Sequence, residues 1–123
     1  TPTEEFSDFN KKINDYMDTI LSNSGRIAIW GASHLAFSVI SASKTKNKIS
    51  YIVDSASFKQ GKFSQGSGLE IFPPQHLNVD SPNTVIVMCP EYSDEIVGDI
   101  KEKFSHVIHN IATFVNGSLE IVQ

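Results

Sequence analysis

The sequence predicts an α/β fold built around an open, mostly parallel β-sheet. Three short apolar runs, at residues 27–30, 49–53 and 84–88, have the composition of strands that are buried on both faces. Helical patterns follow the first and the third run. Because strand–helix–strand units of this length cross over on the face of a parallel sheet, we expect a Rossmann-like domain with helices on both faces.

The composition fits a single globular domain and argues against several functions. The chain has 123 residues, 40% of them hydrophobic, and a net charge of −4 without a long basic block, so nucleic-acid binding is not expected. No apolar run approaches the roughly 18 residues of a membrane span, and the first residues lack the pattern of a signal peptide. With Cys89 as the single cysteine we expect a cytoplasmic protein. Because the chain begins at Thr1, we also expect a domain of a longer protein.

An amphipathic helix is predicted before the sheet, over residues 1–24. Thr1, Pro2 and Glu4 have the spacing of a capping box, and Gly25 is predicted to end the helix in the left-handed conformation. Its apolar face consists of residues at three- and four-residue steps: Phe6, Phe9, Ile13, Tyr16, Met17, Ile20 and Leu21. This apolar face must be buried either against the domain that spans residues 25–123 or against a neighbour.

The first half of that domain is predicted to form one strand–helix–strand unit. The strand at 27–30 turns into a helix that reaches about Ser43, and the strand at 49–53 follows. Residues 55–68 show no period and are predicted to be a loop. A short strand at 69–72 and a single helical turn complete this half.

The second half repeats the alternation. The strand at 84–88 leads into a helix for which Ser93 is the predicted N-cap. Residues 106–108 are predicted to form a fourth parallel strand, and the apolar residues at 114–122 an edge hairpin or strand.

The turn after the first strand has the position of a dinucleotide fingerprint but not its sequence. Gly31, Ala32, Ser33 and His34 open a G-x-S-x-x-A pattern, whereas the fingerprint has glycine at the position of Ser33. Ordinary NAD binding is therefore disfavoured. The Ser33 hydroxyl is predicted either to contact a phosphate or only to cap the helix.

Asp54 ends the second strand, where an acidic residue of such folds hydrogen-bonds a ribose diol. Aspartate is also common at the start of turns, so both interpretations stay open.

Other chemistry finds little support. A hydrolase that uses Ser33 with His106 lacks the second glycine of a nucleophile elbow, because Leu35 stands there. On a strand, His106 and His109 would point to opposite faces, which disfavours a shared metal. Cys89 is expected to be an inert buried thiol. The residues favour a binding module over an enzyme.

Four segments resemble the C-terminal domain of S-adenosylmethionine-dependent C-methyltransferases, which methylate carbon atoms of nucleotide-linked sugars. They read IWGAS at 29–33, YIVDSASFKQGKF at 51–63, LEIFPPQHL at 69–77 and VIVMCPEYSDEI at 85–96. The resemblance implies an accessory domain that packs on the catalytic methyltransferase domain and helps enclose a sugar nucleotide, with the helix at 1–24 as the connector between the two domains. It also implies that S-adenosylmethionine and the catalytic residues belong to the preceding domain, and that no catalytic residue or cofactor is expected here.

The candidate binding residues share a position at the carboxyl ends of the strands: Gly31, Ala32, Ser33, His34, Asp54, Lys59, Gly61, Lys62, Glu91 and Tyr92. The turn would offer donors to an anion, Asp54 would accept from a hydroxyl, and the lysines would add positive charge; no metal is expected. Two alternatives stay open. One is a stand-alone sensor that binds a nucleotide or sugar nucleotide, and the other is a scaffold without a ligand, whose helix pairs with a partner.

Overall fold

The computed structural model describes residues 2–123, with side chains from residue 8 onward. The strands are β1 (Ile27–Trp30), β2 (Tyr51–Val53), β3 (Ile71–Phe72), β4 (Thr84–Val87), β5 (Asn110–Val115) and β6 (Ser118–Ile121). The helices are α1 (Pro2–Ser22), α2 (His34–Ser43) and α3 (Ser93–Lys103), with short 3₁₀ turns at Lys46–Lys48, Pro74–Asn78 and Pro90–Tyr92. One sheet has the order β3-β2-β1-β4-β5-β6, parallel except for the antiparallel β6. The predicted α/β class with a mostly parallel sheet is confirmed.

The central strands are apolar throughout because both faces of the sheet are covered. Ile29 lies opposite Ile86 and packs with α1 and α2 in one core cluster. Trp30 points to the other face, where it packs with residues of α3, including Ile100. Since side chains alternate along a strand, each strand serves both clusters. Helices on both faces are therefore confirmed.

Helix α1 packs on this core through its apolar face. Ile13 and Met17 are fully buried. The Asn14 amide donates to the Ser43 carbonyl at 3.0 Å, and the Lys48 ammonium lies 2.8 Å from the Asp18 carboxylate. The division into a connector at 1–24 and a domain at 25–123 stays a prediction. The capping box of Thr1 lies outside the described residues.

The prediction that Gly25 takes the left-handed conformation is wrong. Ser24 does so, with φ of 64°. Gly25 is needed for space instead, because a Cβ there would lie 2.6 Å from Ile20 Cγ2 and 2.7 Å from Asn83 Oδ1.

Two predictions in the second half are also wrong. Residues 106–108 form a turn in which the amides of Val107 and Ile108 donate to the Phe104 carbonyl. The next parallel strand beside β4 is β5, which begins only at Asn110. Ser93 does not cap α3: it has helical dihedral angles and is buried, and Tyr92 occupies the N-cap position. The edge hairpin is present, formed by β5 and β6.

Within residues 2–123, no helix combines the length and the apolar character that crossing a membrane requires.

Candidate functional site

Glycine is strongly favoured at the first position of the turn between β1 and α2. Gly31 has φ of +128°, and its amide donates to the Val53 carbonyl at 2.9 Å. A Cβ at Gly31 would lie 2.7 Å from the Cys89 sulfur and 2.9 Å from the Met88 carbonyl oxygen. The Gly31 backbone therefore lies against the residues that follow β4, at the carboxyl edge where doubly wound sheets usually bind ligands.

Ser33 caps α2. Its hydroxyl accepts from the Ala36 amide at 3.3 Å, and its own dihedral angles are extended, as the N-cap position requires. The capping interpretation is thus what the geometry shows for this hydroxyl.

Asp54 connects the turn to the loop that follows β2. One carboxylate oxygen accepts from the Ala32 amide and the other from the Ala56 amide, both at 2.8 Å. The Lys59 ammonium lies 3.8 Å from the first of these oxygens. Asp54 therefore directs its carboxylate to protein groups on both sides.

The loop at 55–68 is folded against β3. The Gln60 side chain donates to the Asp54 carbonyl at 2.8 Å. The Gly61 amide donates to the Ile71 carbonyl, and the Ile71 amide donates back to the Lys62 carbonyl, each at 2.8 Å. The predicted loop is irregular, as expected, but its backbone is hydrogen-bonded to the sheet and holds its side chains in place.

An open cleft of about 450 Å³ lies between the start of α2 and this loop. Its lining consists of Ala32, Ser33, His34, Phe37, Phe58, Lys59, Lys62, Phe63, Gln65 and Ile71. Phe58 and Phe63 are 70% and 64% exposed, which is unusual for phenylalanine. The Lys59 ammonium lies 5.7 Å from the centre of the Phe58 ring. The cleft thus combines two aromatic faces with two positive charges.

The structure brings some of the candidate residues together and leaves others apart. Five of them line the cleft: Ala32, Ser33, His34, Lys59 and Lys62. Gly31 and Gly61 directly precede Ala32 and Lys62 in the chain, and Asp54 contacts Ala32 and Lys59, but these three do not line the cleft. Glu91 and Tyr92 lie in the Pro90–Tyr92 turn after β4, outside this lining. Their roles in binding stay predictions.

Sequence reasoning missed the aromatic part of the cleft. Phe37, Phe58 and Phe63 contribute its apolar surface. The available signal was the pair of phenylalanines in a loop that is otherwise rich in glycine, serine and lysine. Such a loop has little core of its own in which to bury them.

Metal binding and a serine–histidine pair gain no support from the described residues. His106 bonds to the Asn78 side chain at 2.8 Å. Among the side chains described, from residue 8 onward, no three from His, Cys, Asp and Glu are close enough to hold a metal ion.

Cys89 is half-buried beside the turn and is expected to react slowly. Burial raises the pKa of the Cys89 thiol, and the Asp54 carboxylate raises it further. A raised pKa lowers the thiolate fraction at pH 8, so we expect slower reaction with a disulfide reagent than for free cysteine. Reaction rates measured from pH 7 to pH 10 test this, with the urea-unfolded chain as control. A rate that is already constant below pH 8 would contradict it.

Comparisons with known proteins agree with this fold. The crystal structure of UDP-D-quinovosamine 4-dehydrogenase from Vibrio fischeri is similar over 80% of this chain and 93% of that chain, with a TM-score of 0.61 at 17% sequence identity. No protein with a curated description matches the chain. The family model of the C-methyltransferase C-terminal domain matches residues 3–115. Because this match covers nearly the whole sequence, the chain belongs to the C-methyltransferase C-terminal domain family.

Proposed function

We propose that this chain is the non-catalytic, substrate-side domain of a C-methyltransferase, and that it binds a nucleotide-sugar-like molecule in the cleft between α2 and the loop at 55–68. The observation that carries the proposal is the combination of Lys59 and Lys62 with the exposed rings of Phe58 and Phe63. The ammonium groups suit a diphosphate, and the rings suit the flat face of a base.

Charge supports this ligand class. The chain has a net charge of −4, yet the cleft contains two lysines, and among the residues that the structure describes its lining includes no carboxylate. Although the Asp54 carboxylate offsets part of the Lys59 charge at 3.8 Å, the two lysines of this lining favour an anionic ligand. The structural neighbour is a dehydrogenase whose name specifies a UDP-linked sugar, which is compatible with the same ligand class.

The methyl donor belongs to the other domain in this proposal. Family membership links the chain to methyltransferases, which the resemblance describes as using S-adenosylmethionine in the preceding domain. The cleft suits that cofactor poorly, because S-adenosylmethionine has no phosphate for the two lysines to bind. We therefore propose that the catalytic domain is the partner of this one and that the sugar nucleotide binds between them. We also propose that both domains are cytoplasmic.

Binding is tested by amide NMR titration of the chain with UDP-glucose and dTDP-glucose, and with S-adenosylmethionine and NAD in parallel. We expect shifts with the sugar nucleotides only, at residues 31–34 and 58–65. A double variant, Lys59→Ala with Lys62→Ala, is expected to weaken binding by about tenfold or more, since two charged contacts are lost. Lys101→Ala is the matched control, because that exposed lysine lies on α3 across the sheet.

Two outcomes would contradict the proposal. If neither sugar nucleotide shifts the amide resonances, the substrate-binding role is wrong and a scaffold domain is favoured. Methyl transfer by the isolated chain, supplied with S-adenosylmethionine and a sugar nucleotide, would show that it is not a non-catalytic domain.

A further inference from the structure

Asp54 stands where related folds have the acid that hydrogen-bonds the ribose, but its carboxylate bonds to backbone amides of this chain. Asp54 follows β2, as the ribose-binding acid of a dinucleotide fold does. Its two oxygens accept from the amides of Ala32 and Ala56 at 2.8 Å, and its side chain is only 15% exposed. Both oxygens of Asp54 are thus engaged by backbone amides, and the residue lies outside the lining of the cleft.

The described lining of the cleft offers no carboxylate that could accept hydrogen bonds from a ribose diol. Its described lining contains no Asp or Glu, and the Ser33 hydroxyl already accepts from the Ala36 amide. The same lining contains Lys59 and Lys62, which are donors with no acceptor capacity. The two ammonium groups of this lining are suited to phosphate oxygens.

The aromatic residues of the cleft offer flat apolar faces on which a base can stack. Phe58 and Phe63 are exposed, and the loop that carries them is anchored by the paired hydrogen bonds between residues 61–62 and Ile71. Stacking on a phenyl ring depends on the flat face of a base and tolerates a change of base.

We propose that the cleft recognises its ligand through the diphosphate and the face of the base and is indifferent to the ribose 2′-hydroxyl, with Asp54 as a positioning residue. Asp54 fixes the turn through Ala32 and holds Lys59 beside the cleft, instead of contacting the ligand. This inference rests on the proposed function, because it describes how the same cleft selects among nucleotides.

The test compares UDP, 2′-deoxy-UDP and uridine by titration calorimetry, with UDP-glucose measured alongside. The first two differ only in the 2′-hydroxyl, and we expect their dissociation constants to agree within about twofold. Uridine lacks the diphosphate and is expected to bind at least about tenfold more weakly. A preference of about fivefold or more for UDP over 2′-deoxy-UDP would overturn the inference and leave the proposed function intact.

Asp54→Asn provides a second measurement. As a positioning residue, Asp54 should influence both nucleotides equally, so the ratio of the two dissociation constants should stay near one while the unfolding temperature falls. If Asp54 contacts ribose, the wild-type chain should prefer UDP and the variant should lose that preference, which would overturn the inference. Glu102→Gln, on the exposed face of α3, is the control for loss of a carboxylate. If UDP-glucose binds but neither diphosphate does, only this inference fails; if none of the three binds, the proposed function fails with it.

Discussion

Replacing Gly31 by alanine is expected to destabilise the fold by about 3 to 5 kcal/mol, through backbone strain and overpacking together. The added methyl group would lie 2.7 Å from the Cys89 sulfur and 2.9 Å from the Met88 carbonyl oxygen, at a φ of +128° that alanine rarely adopts. The Met88 carbonyl belongs to the backbone beside the central strands and cannot move without disturbing the sheet. Urea denaturation monitored by circular dichroism measures the loss.

Gly98→Ala is the matched control for this substitution. Gly98 lies on the exposed face of α3, and a Cβ added there would meet no neighbouring atom within 4 Å. Alanine at this position should therefore stabilise the helix by about 0.5 to 1 kcal/mol. Opposite signs for the two variants are the expected result. A Gly31→Ala variant as stable as the wild type would show that the turn can shift, and that the close approach of Gly31 to Cys89 is not required for stability.

Replacing Ile13 by alanine should cost about 2 to 5 kcal/mol, as for other large apolar side chains removed from a packed core. Ile13 is fully buried in the cluster that also contains Met17, Ile29 and Ile86. The loss arises both from the apolar surface returned to water and from the cavity left beneath α1. Urea denaturation gives the free energy, and an unchanged slope would show that the unfolded state is comparable.

Lys12→Ala is the control on the same helix, because Lys12 is exposed and alanine retains the helix propensity. Its effect should stay within about 0.5 kcal/mol. If Ile13→Ala behaved like this control, α1 would be a loosely attached connector, as the division at residue 24 implies. A large loss would show that α1 is part of the folded core of the domain.

Much of the sheet could be predicted because its signals are local. The apolar runs that became β1, β2 and β4 are bounded by glycine, aspartate and proline, which leaves little freedom in where they end. The predicted fourth parallel strand was misplaced because residues 106–115 contain two apolar stretches. Which stretch pairs with β4 depends on the turn after Phe104, in which two amides donate to one carbonyl. The hydrophobic pattern does not predict that turn.

The site was harder to predict than the sheet because it depends on distant packing. The spacing of Gly31 and Asp54 correctly predicts that both lie at the carboxyl edge of the sheet. It carries no information on how closely Gly31 approaches Cys89 and Met88. Nor does it tell that the loop at 55–68 folds back on β3 and presents Phe58 and Phe63 beside α2.

The order of the strands also has a kinetic consequence. The pairs β1–β2 and β4–β5 each join segments that are close in sequence. The central pair of the sheet, β1–β4, joins residues 27–30 to residues 84–87. The loop-closure entropy of that pair is lost before its contacts are gained, so the two halves of the sheet associate late and the domain should fold more slowly than a helical bundle of its size. Until then, the apolar edges of β1 and β4 are exposed to other chains, and this interval is when the protein is most vulnerable to aggregation.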